Sequence, residues 1–148
     1  MLASAHAIGM ARLLIVDDDV DVRDALADAL TCEGHTVRVA SDGVEGLQRM
    51  SEDPVDLIVL DVDMPRMSGP EMAYTALIRD AGLEAIPILL VSANADLARV
   101  AEKVGTPYFL AKPCTLNELN ARLARALAER KPPRPQPSSG SAFRQSQE

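Results

Sequence analysis

The sequence predicts an α/β fold built on one parallel, doubly wound sheet, and three observations lead there. Short apolar runs alternate with segments of helical periodicity from about residue 12 to residue 129, the pattern of repeated β-α units. Several runs, such as Leu13-Leu14-Ile15-Val16 and Leu57-Ile58-Val59-Leu60, have no polar residue at all, which suits strands buried on both faces. A chain of 148 residues with 47% hydrophobic content is enough for one sizeable core.

The elements follow in order. Residues 1–10 are small and mixed and are expected to form a flexible arm, and Met10 is as possible a start as Met1. The first strand, 13–16, ends in Asp17-Asp18-Asp19. A helix follows with Val22, Ala25, Leu26, Ala29 and Leu30 on one face, and Gly34 stops it. Thr36-Val37-Arg38-Val39-Ala40 alternates like an edge strand. Asp42 and Glu45 mark the next helix start, with Val44 and Leu47 as a short apolar face. The third strand, 56–60, runs into Asp61 and the turn Met64-Pro65. A further helix is expected from Pro70, burying Met72, Ala73, Ala76 and Leu77 and stopping at Gly82. The fourth strand, 86–91, tolerates Pro87 near its start and closes on Ser92. A helix over 95–104 stops at Gly105, and Tyr108-Phe109-Leu110 forms the fifth strand before Lys112-Pro113. Thr115 and Glu118 form a capping-box pattern for the last helix, with Leu116, Leu119, Leu123 and Leu127 along one side. Residues 131–148 hold four of the ten prolines and are expected to be a disordered tail. The main domain is thus 11–130. At this size the flavodoxin-like strand order 2-1-3-4-5, a doubly wound (βα)5 arrangement, is the natural choice.

Composition narrows function. Residues 1–130 carry 12 Lys+Arg against 21 Asp+Glu, a balance of −9, and residues 131–148 carry 3 against 1. Such an acidic body argues against nucleic acid as a partner. No apolar stretch is long enough to span a bilayer, and no signal-peptide pattern opens the chain, so a cytoplasmic protein is expected. Cys32 and Cys114 have neither disulfide-framework nor metal-site spacing. His6 and His35 are expected to be exposed and inert.

The residues closing the strands are Asp17, Asp18 and Asp19, then Asp61, Ser92 and Lys112. In a doubly wound sheet, ligands bind beyond the carboxyl ends of the strands where strand order reverses, here between strands 1 and 3. Carboxylates converging there repel one another, and a hard divalent cation such as Mg²⁺ relieves that conflict. Lys112 and Ser92 suit phosphate oxygens as a point charge and a hydroxyl donor. Together they describe phosphoryl transfer to Asp61, giving an aspartyl phosphate. Taken alone, Asp17-Asp18-Asp19 could equally be a solvated helix start, and Asp19 reads as a cap.

These residues carry a resemblance. Ile15-Val16-Asp17-Asp18, Leu60-Asp61-Val62-Asp63-Met64-Pro65 with Gly69, Val91-Ser92-Ala93 and Leu110-Ala111-Lys112-Pro113 resemble the receiver domain of two-component response regulators, over about 12–129. The resemblance implies that Asp61 accepts a phosphoryl group from a phosphohistidine of a sensor histidine kinase or a histidine phosphotransfer protein. Asp18 and Asp61 would ligate Mg²⁺ directly with the backbone carbonyl of Asp63, and Asp17 would act through a metal-bound water. Lys112 would pair with phosphoryl oxygens, Ser92 would swing to bond one of them, and Phe109 would hold the rotameric switch position. The Lys112–Pro113 bond is expected to be cis. Asp63 and Asn94 would flank the attacking water and tune the lifetime of the phosphate. The 95–130 face is where receivers commonly dimerise or dock partners.

The sequence departs from the commonest pattern at four places: Phe109 for Tyr, Ser92 for Thr, Cys114 where Phe is frequent, and the extra carboxylate of Asp63. The expected function is a response regulator receiver that signals through an unknown output protein or a homodimer. A DNA-binding domain is not expected in the 131–148 tail, and no catalysis is expected beyond the chain's own phosphorylation and dephosphorylation. Two rivals stand beside it. Asp61-Val62-Asp63 is also the D-x-D of small Mg²⁺-dependent aspartate-nucleophile phosphohydrolases, and a phosphate-independent pseudo-receiver would keep the fold alone.

Overall fold

The structure is a computed structural model that describes residues 10–64, 68, 71–72 and 86–134. Five strands, β1 (Arg12–Val16), β2 (Thr36–Ala40), β3 (Leu57–Leu60), β4 (Ile88–Ser92) and β5 (Tyr108–Ala111), form one parallel sheet in the order β2-β1-β3-β4-β5. This is the order the sequence predicts. Four described helices connect them: α1 (Val20–Cys32), α2 (Gly43–Glu52), α3 (Leu97–Val104) and α4 (Leu116–Glu129). The helix expected between β3 and β4 lies outside the described residues beyond its first turn at Glu71 and Met72. So do the N-terminal arm up to residue 9 and the tail beyond 134.

Successive strand residues point to opposite faces, and the core divides accordingly. Leu14, Val16, Ile58, Leu60, Ile88 and Leu90 pack with α2, α3 and Met72 on one face. Leu13, Ile15, Leu57, Val59, Leu89 and Val91 pack with α1 and α4 on the other. Every residue of β3 and β4 is buried, whereas β5 alternates, with Tyr108 and Leu110 in and Phe109 and Ala111 out. Each fully buried Leu or Ile contributes on the order of 1.5–3 kcal/mol. This explains why the runs 13–16, 57–60 and 88–91 at the centre of the sheet hold no polar residue.

The helix boundaries follow their chemistry. Asp19 caps α1 by accepting from the Val22 N–H at 3.2 Å, and Gly34 takes the left-handed conformation with φ 106°. Thr115 and Glu118 form the expected reciprocal capping box. At α2, Asp42 accepts from the Glu45 N–H at 2.9 Å, but Glu45 reaches back to the backbone and hydroxyl of Ser41 rather than to the cap residue itself.

Some burial expectations are corrected. Val44 is exposed, and α2 seats itself through Gly43, Gly46, Leu47 and Met50. Leu116 is exposed because it stands at the first helical position of α4, ahead of the face that Leu119, Leu123 and Ala126 bury. His35 is only 8% exposed, with Nδ1 accepting from the Ala11 N–H at 3.3 Å. The neutral imidazole is therefore a structural acceptor, and burial lowers its pKa from the ordinary 6.5.

The chain stays packed past the predicted domain end at 130. Arg130 takes a left-handed C-cap conformation, φ 53°, which turns the backbone under β5. Lys131 donates its N–H to the Tyr108 hydroxyl at 3.3 Å. That hydroxyl donates to Glu129 at 2.9 Å, and the Arg125 guanidinium lies 5.3 Å from the ring centroid. Pro133 is buried, and Arg134 donates its N–H to the Gly105 carbonyl at 3.1 Å. Gly105, at φ 81°, presses against the Arg134 backbone so closely that no side chain fits there.

Candidate functional site

Strand register builds the site. Val16 pairs with Leu60, so Asp17 and Asp61 leave the sheet side by side; adjacent strands are about 4.8 Å apart. Ser92 pairs with Ala111, which puts Lys112 one residue beyond it. Backbone bonds continue the ladder just past the strand ends, with Asp61 donating to the Val16 carbonyl at 2.9 Å and Lys112 to that of Ser92 at 2.9 Å. The Lys112–Pro113 peptide is cis, as expected.

Carboxylate oxygens of Asp17, Asp18 and Asp61 all lie within 4.8 Å of one another. Asp17 and Asp61 are buried and Asp18 is exposed, so the cluster has a closed floor and a wet rim. Asp61 is only 8% exposed, and its Oδ1 accepts from the Val62 N–H at 2.8 Å. Burial, and next the charge of Asp17, push its carboxyl pKa up, while Ser92, Lys112 and Val62 pull it back.

Lys112 has chosen a partner. Its Nζ is 2.6 Å from Asp17 Oδ2 and 3.9 Å from Asp61 Oδ2. The other oxygen of Asp17 accepts from the Asp19 N–H at 2.9 Å. Both Asp17 oxygens are thus engaged within the protein, whereas Asp18 faces outward. An all-carboxylate donor set with one lysine fits a hard, oxygen-liganded cation that retains waters. Burial first, and the charge of Asp17 after it, raise the Asp61 carboxyl pKa, and a cation held among these carboxylates would oppose both.

At the rim, Asn94 Nδ2 donates to Asp63 Oδ2 at 2.8 Å. The Asn94 N–H donates to the Ser92 hydroxyl oxygen at 3.2 Å, and its Oδ1 accepts from the Asp96 N–H at 2.8 Å. The two residues singled out by sequence thus hold each other across the loops after β3 and β4. The second carboxylate of the D-x-D is exposed and tied to an amide. Phe109 lies outside the cluster, 37% exposed on the β5 face toward α3.

Two features were not read from the sequence. One is the Lys112–Asp17 pair, which joins residues 95 apart. The other is an apolar groove of about 420 Å³ beside Lys112, lined by Val22, Ala25, Leu26, Pro113 and Cys114 among others. Its signal was present: part of the apolar stripe expected to bury α1 stays open, with Ala25 exposed.

A family model, Response regulator receiver domain, matches residues 13–124. The chain belongs to the response regulator receiver family. It is 43% identical over 121 residues to the response regulator MprA of Mycobacterium ulcerans, covering 80% of this chain and 50% of that protein. MprA of Mycobacterium tuberculosis strain H37Ra is 41% identical over 123 residues, covering 82% and 52%. The chain therefore spans about half the length of the curated relatives it matches. Among solved structures it is similar to a CheY-like receiver domain protein from Methanospirillum hungatei, with TM-score 0.72 and 26% identity over 82% of this chain and 96% of that one. It is also similar to TrrA from Thermotoga maritima, solved in complex with Mg²⁺-BeF, with TM-score 0.69 and 27% identity over 78% and 98%. Receivers are signalling domains that work with histidine kinases and bind Mg²⁺ in an acidic pocket, and this receiver carries a cluster of three aspartates, Asp17, Asp18 and Asp61. Among the described residues no helix is long and apolar enough to cross a membrane.

Proposed function

We propose that this receiver accepts a phosphoryl group on Asp61 from a phosphohistidine, in the cytoplasm, and passes the signal on by protein contact. The observation that carries the reading is the convergence of three carboxylates within 4.8 Å beside Lys112. An Asp61 carboxylate oxygen attacks phosphorus, the phosphorus–nitrogen bond breaks, and the imidazole of a sensor kinase or histidine phosphotransfer protein leaves with the electron pair. Mg²⁺, held by Asp18, Asp61 and the Asp63 carbonyl, with Asp17 through water, would neutralise charge on the transferring group.

The protein's own groups do the rest. Lys112 moves from Asp17 toward the new phosphoryl oxygens, a shift favoured by its existing 3.9 Å approach to Asp61. Ser92, whose hydroxyl already interacts with the Asp61 carboxylate, turns to donate to a phosphoryl oxygen, and Phe109 follows as the switch aromatic. Asp63 and Asn94 set how readily water reaches the phosphorus. Output through an unidentified partner, or a homodimer formed by the 95–130 face, completes the reading.

Intact-mass spectrometry after incubation with acetyl phosphate and Mg²⁺ tests it. One phosphoryl group per chain is expected, absent in Asp61→Asn and absent with chelator. An unlabelled parent chain would instead support a phosphate-independent module. Repeated turnover of a generic phosphate ester would support a phosphohydrolase.

A further inference from the structure

The segment that follows α4 is fastened at both ends, and to different elements. At one end, Lys131 donates its N–H to the Tyr108 hydroxyl at 3.3 Å, and that hydroxyl donates in turn to Glu129, the last residue of α4, at 2.9 Å. At the other end, Arg134 donates its N–H to the Gly105 carbonyl at 3.1 Å, and Gly105 is the left-handed C-cap of α3. Between the anchors stand Pro132 and Pro133, the second of them buried. Each proline fixes φ at about −65°, so a stiff link joins the two anchors rather than a slack one.

Backbone strain goes into this connection. Arg130, at φ 53°, is the one non-glycine residue with positive φ among the described residues, a conformation that crowds its own Cβ. It turns the chain from the end of α4 toward β5. Gly105, at φ 81°, is barred from carrying a side chain by that angle and by the Arg134 backbone that lies against it. Arg125 closes the arrangement, with its guanidinium 5.3 Å from the Tyr108 ring centroid and its Nε donating to Glu129 at 3.3 Å. Glu129, Lys131 and Arg134 lie past residue 124, where the family match ends, so the receiver match does not account for these contacts.

We propose that Lys131–Arg134 is a clasp that couples the end of α3 to the end of α4, so that a shift of α3 against the sheet moves the point from which the chain continues past 134. Coupling between two sites is reciprocal. A load on the residues that follow is therefore felt at α3, which shares a groove with Phe109 on the 95–130 face. The clasp is a property of the resting chain and does not depend on phosphorylation of Asp61.

Amide hydrogen exchange by NMR on the full chain tests it from both ends. Rates are read relative to the Ile58 and Leu90 amides of the central strands, which a loss of global stability would raise alike. Tyr108→Phe removes the hydroxyl that holds Lys131 and touches nothing at Arg134. It should nevertheless speed exchange at the Arg134 amide by about tenfold, within the usual range for coupled sites, and shift the resonances of Gly105 and Thr106. Gly105→Asn works from the other end. Asn tolerates the left-handed conformation, but its Cβ would run into the Arg134 backbone, and the Lys131 amide should then exchange about tenfold faster. If each substitution speeds only the amide it touches, the two anchors are independent and the clasp is overturned. An Arg134 amide that exchanges at the free-peptide rate in the parent chain would overturn it as well.

Discussion

Lys112 holds its ammonium on Asp17 and within reach of Asp61, and neutralising it should expose how far the carboxylate cluster depends on a cation. Lys112→Met removes the charge and keeps most of the apolar stem. The side chains of Lys112, Asp17 and Asp61 are 18%, 4% and 10% exposed. Removing one partner of a buried pair costs about 3–5 kcal/mol, and an exposed pair is worth under about 1 kcal/mol. The lysine is partly wet and Asp18 opens the cluster to solvent, so a loss of about 2 kcal/mol is expected. At roughly 2–4 °C per kcal/mol for a chain of this size, the melting temperature in chelator should fall by about 4–8 °C. Mg²⁺ should restore most of that, because a bound cation stabilises the folded state by mass action and no longer competes with the ammonium. Differential scanning calorimetry across a Mg²⁺ titration measures both. A variant that melts with the parent in chelator, or gains no more from Mg²⁺ than the parent, would refute a lysine that substitutes for the metal.

Other expectations follow from single contacts. Asp63→Asn takes the charge off the acceptor of the 2.8 Å bond across the site mouth and Asn94→Ala removes its donor, and each should change the dephosphorylation rate of the labelled chain; unchanged rates in both would remove these residues from lifetime control. Gly46→Ala would place a Cβ 2.9 Å from Met72 Sδ and 3.2 Å from Val16 Cγ2. Met72 can yield but the strand residue cannot, so a net loss of about 1–2 kcal/mol in urea denaturation is expected despite the better helix propensity; a more stable variant would contradict the packing. His35, with its pKa lowered by burial, adds stability that is complete above the unfolded value of 6.5 and fades as the pH falls below it. Thermal melts from pH 7.5 to 5 should show a drop that His35→Gln lacks, and parallel curves would refute it.

Much of this was legible because strand-end residues declare themselves. Val16–Asp17 and Leu60–Asp61 each switch from apolar to charged in one step, and parallel register does the rest. Hence the sheet order and the residues that meet at its edge could be read in advance. What could not be read was who pairs with whom. Lys112 chooses Asp17 over Asp61 by where its long stem lands, which no spacing encodes. His35 looked like a loop histidine because the Ala11 N–H that it satisfies lies just ahead of β1, far from it in sequence. The reciprocal bonds between Ser68 and Glu71 were written as an S-x-x-E pattern and went unread, overshadowed by the adjacent Pro70. The packed segment 131–134 was masked by composition, because its two described prolines look like a linker until Tyr108 supplies the hydroxyl that fixes Lys131.

The alternation of β5 also bears on how such a protein can diversify. Its inward residues, Tyr108 and Leu110, hold the sheet to α4, while Phe109 and Ala111 stand outside the core. Changes at the outward positions leave the inner packing intact, so the outer surface of β5 can drift while the fold does not. The surface chemistry of this edge is therefore set by every second residue of one short strand, independently of the core those residues flank.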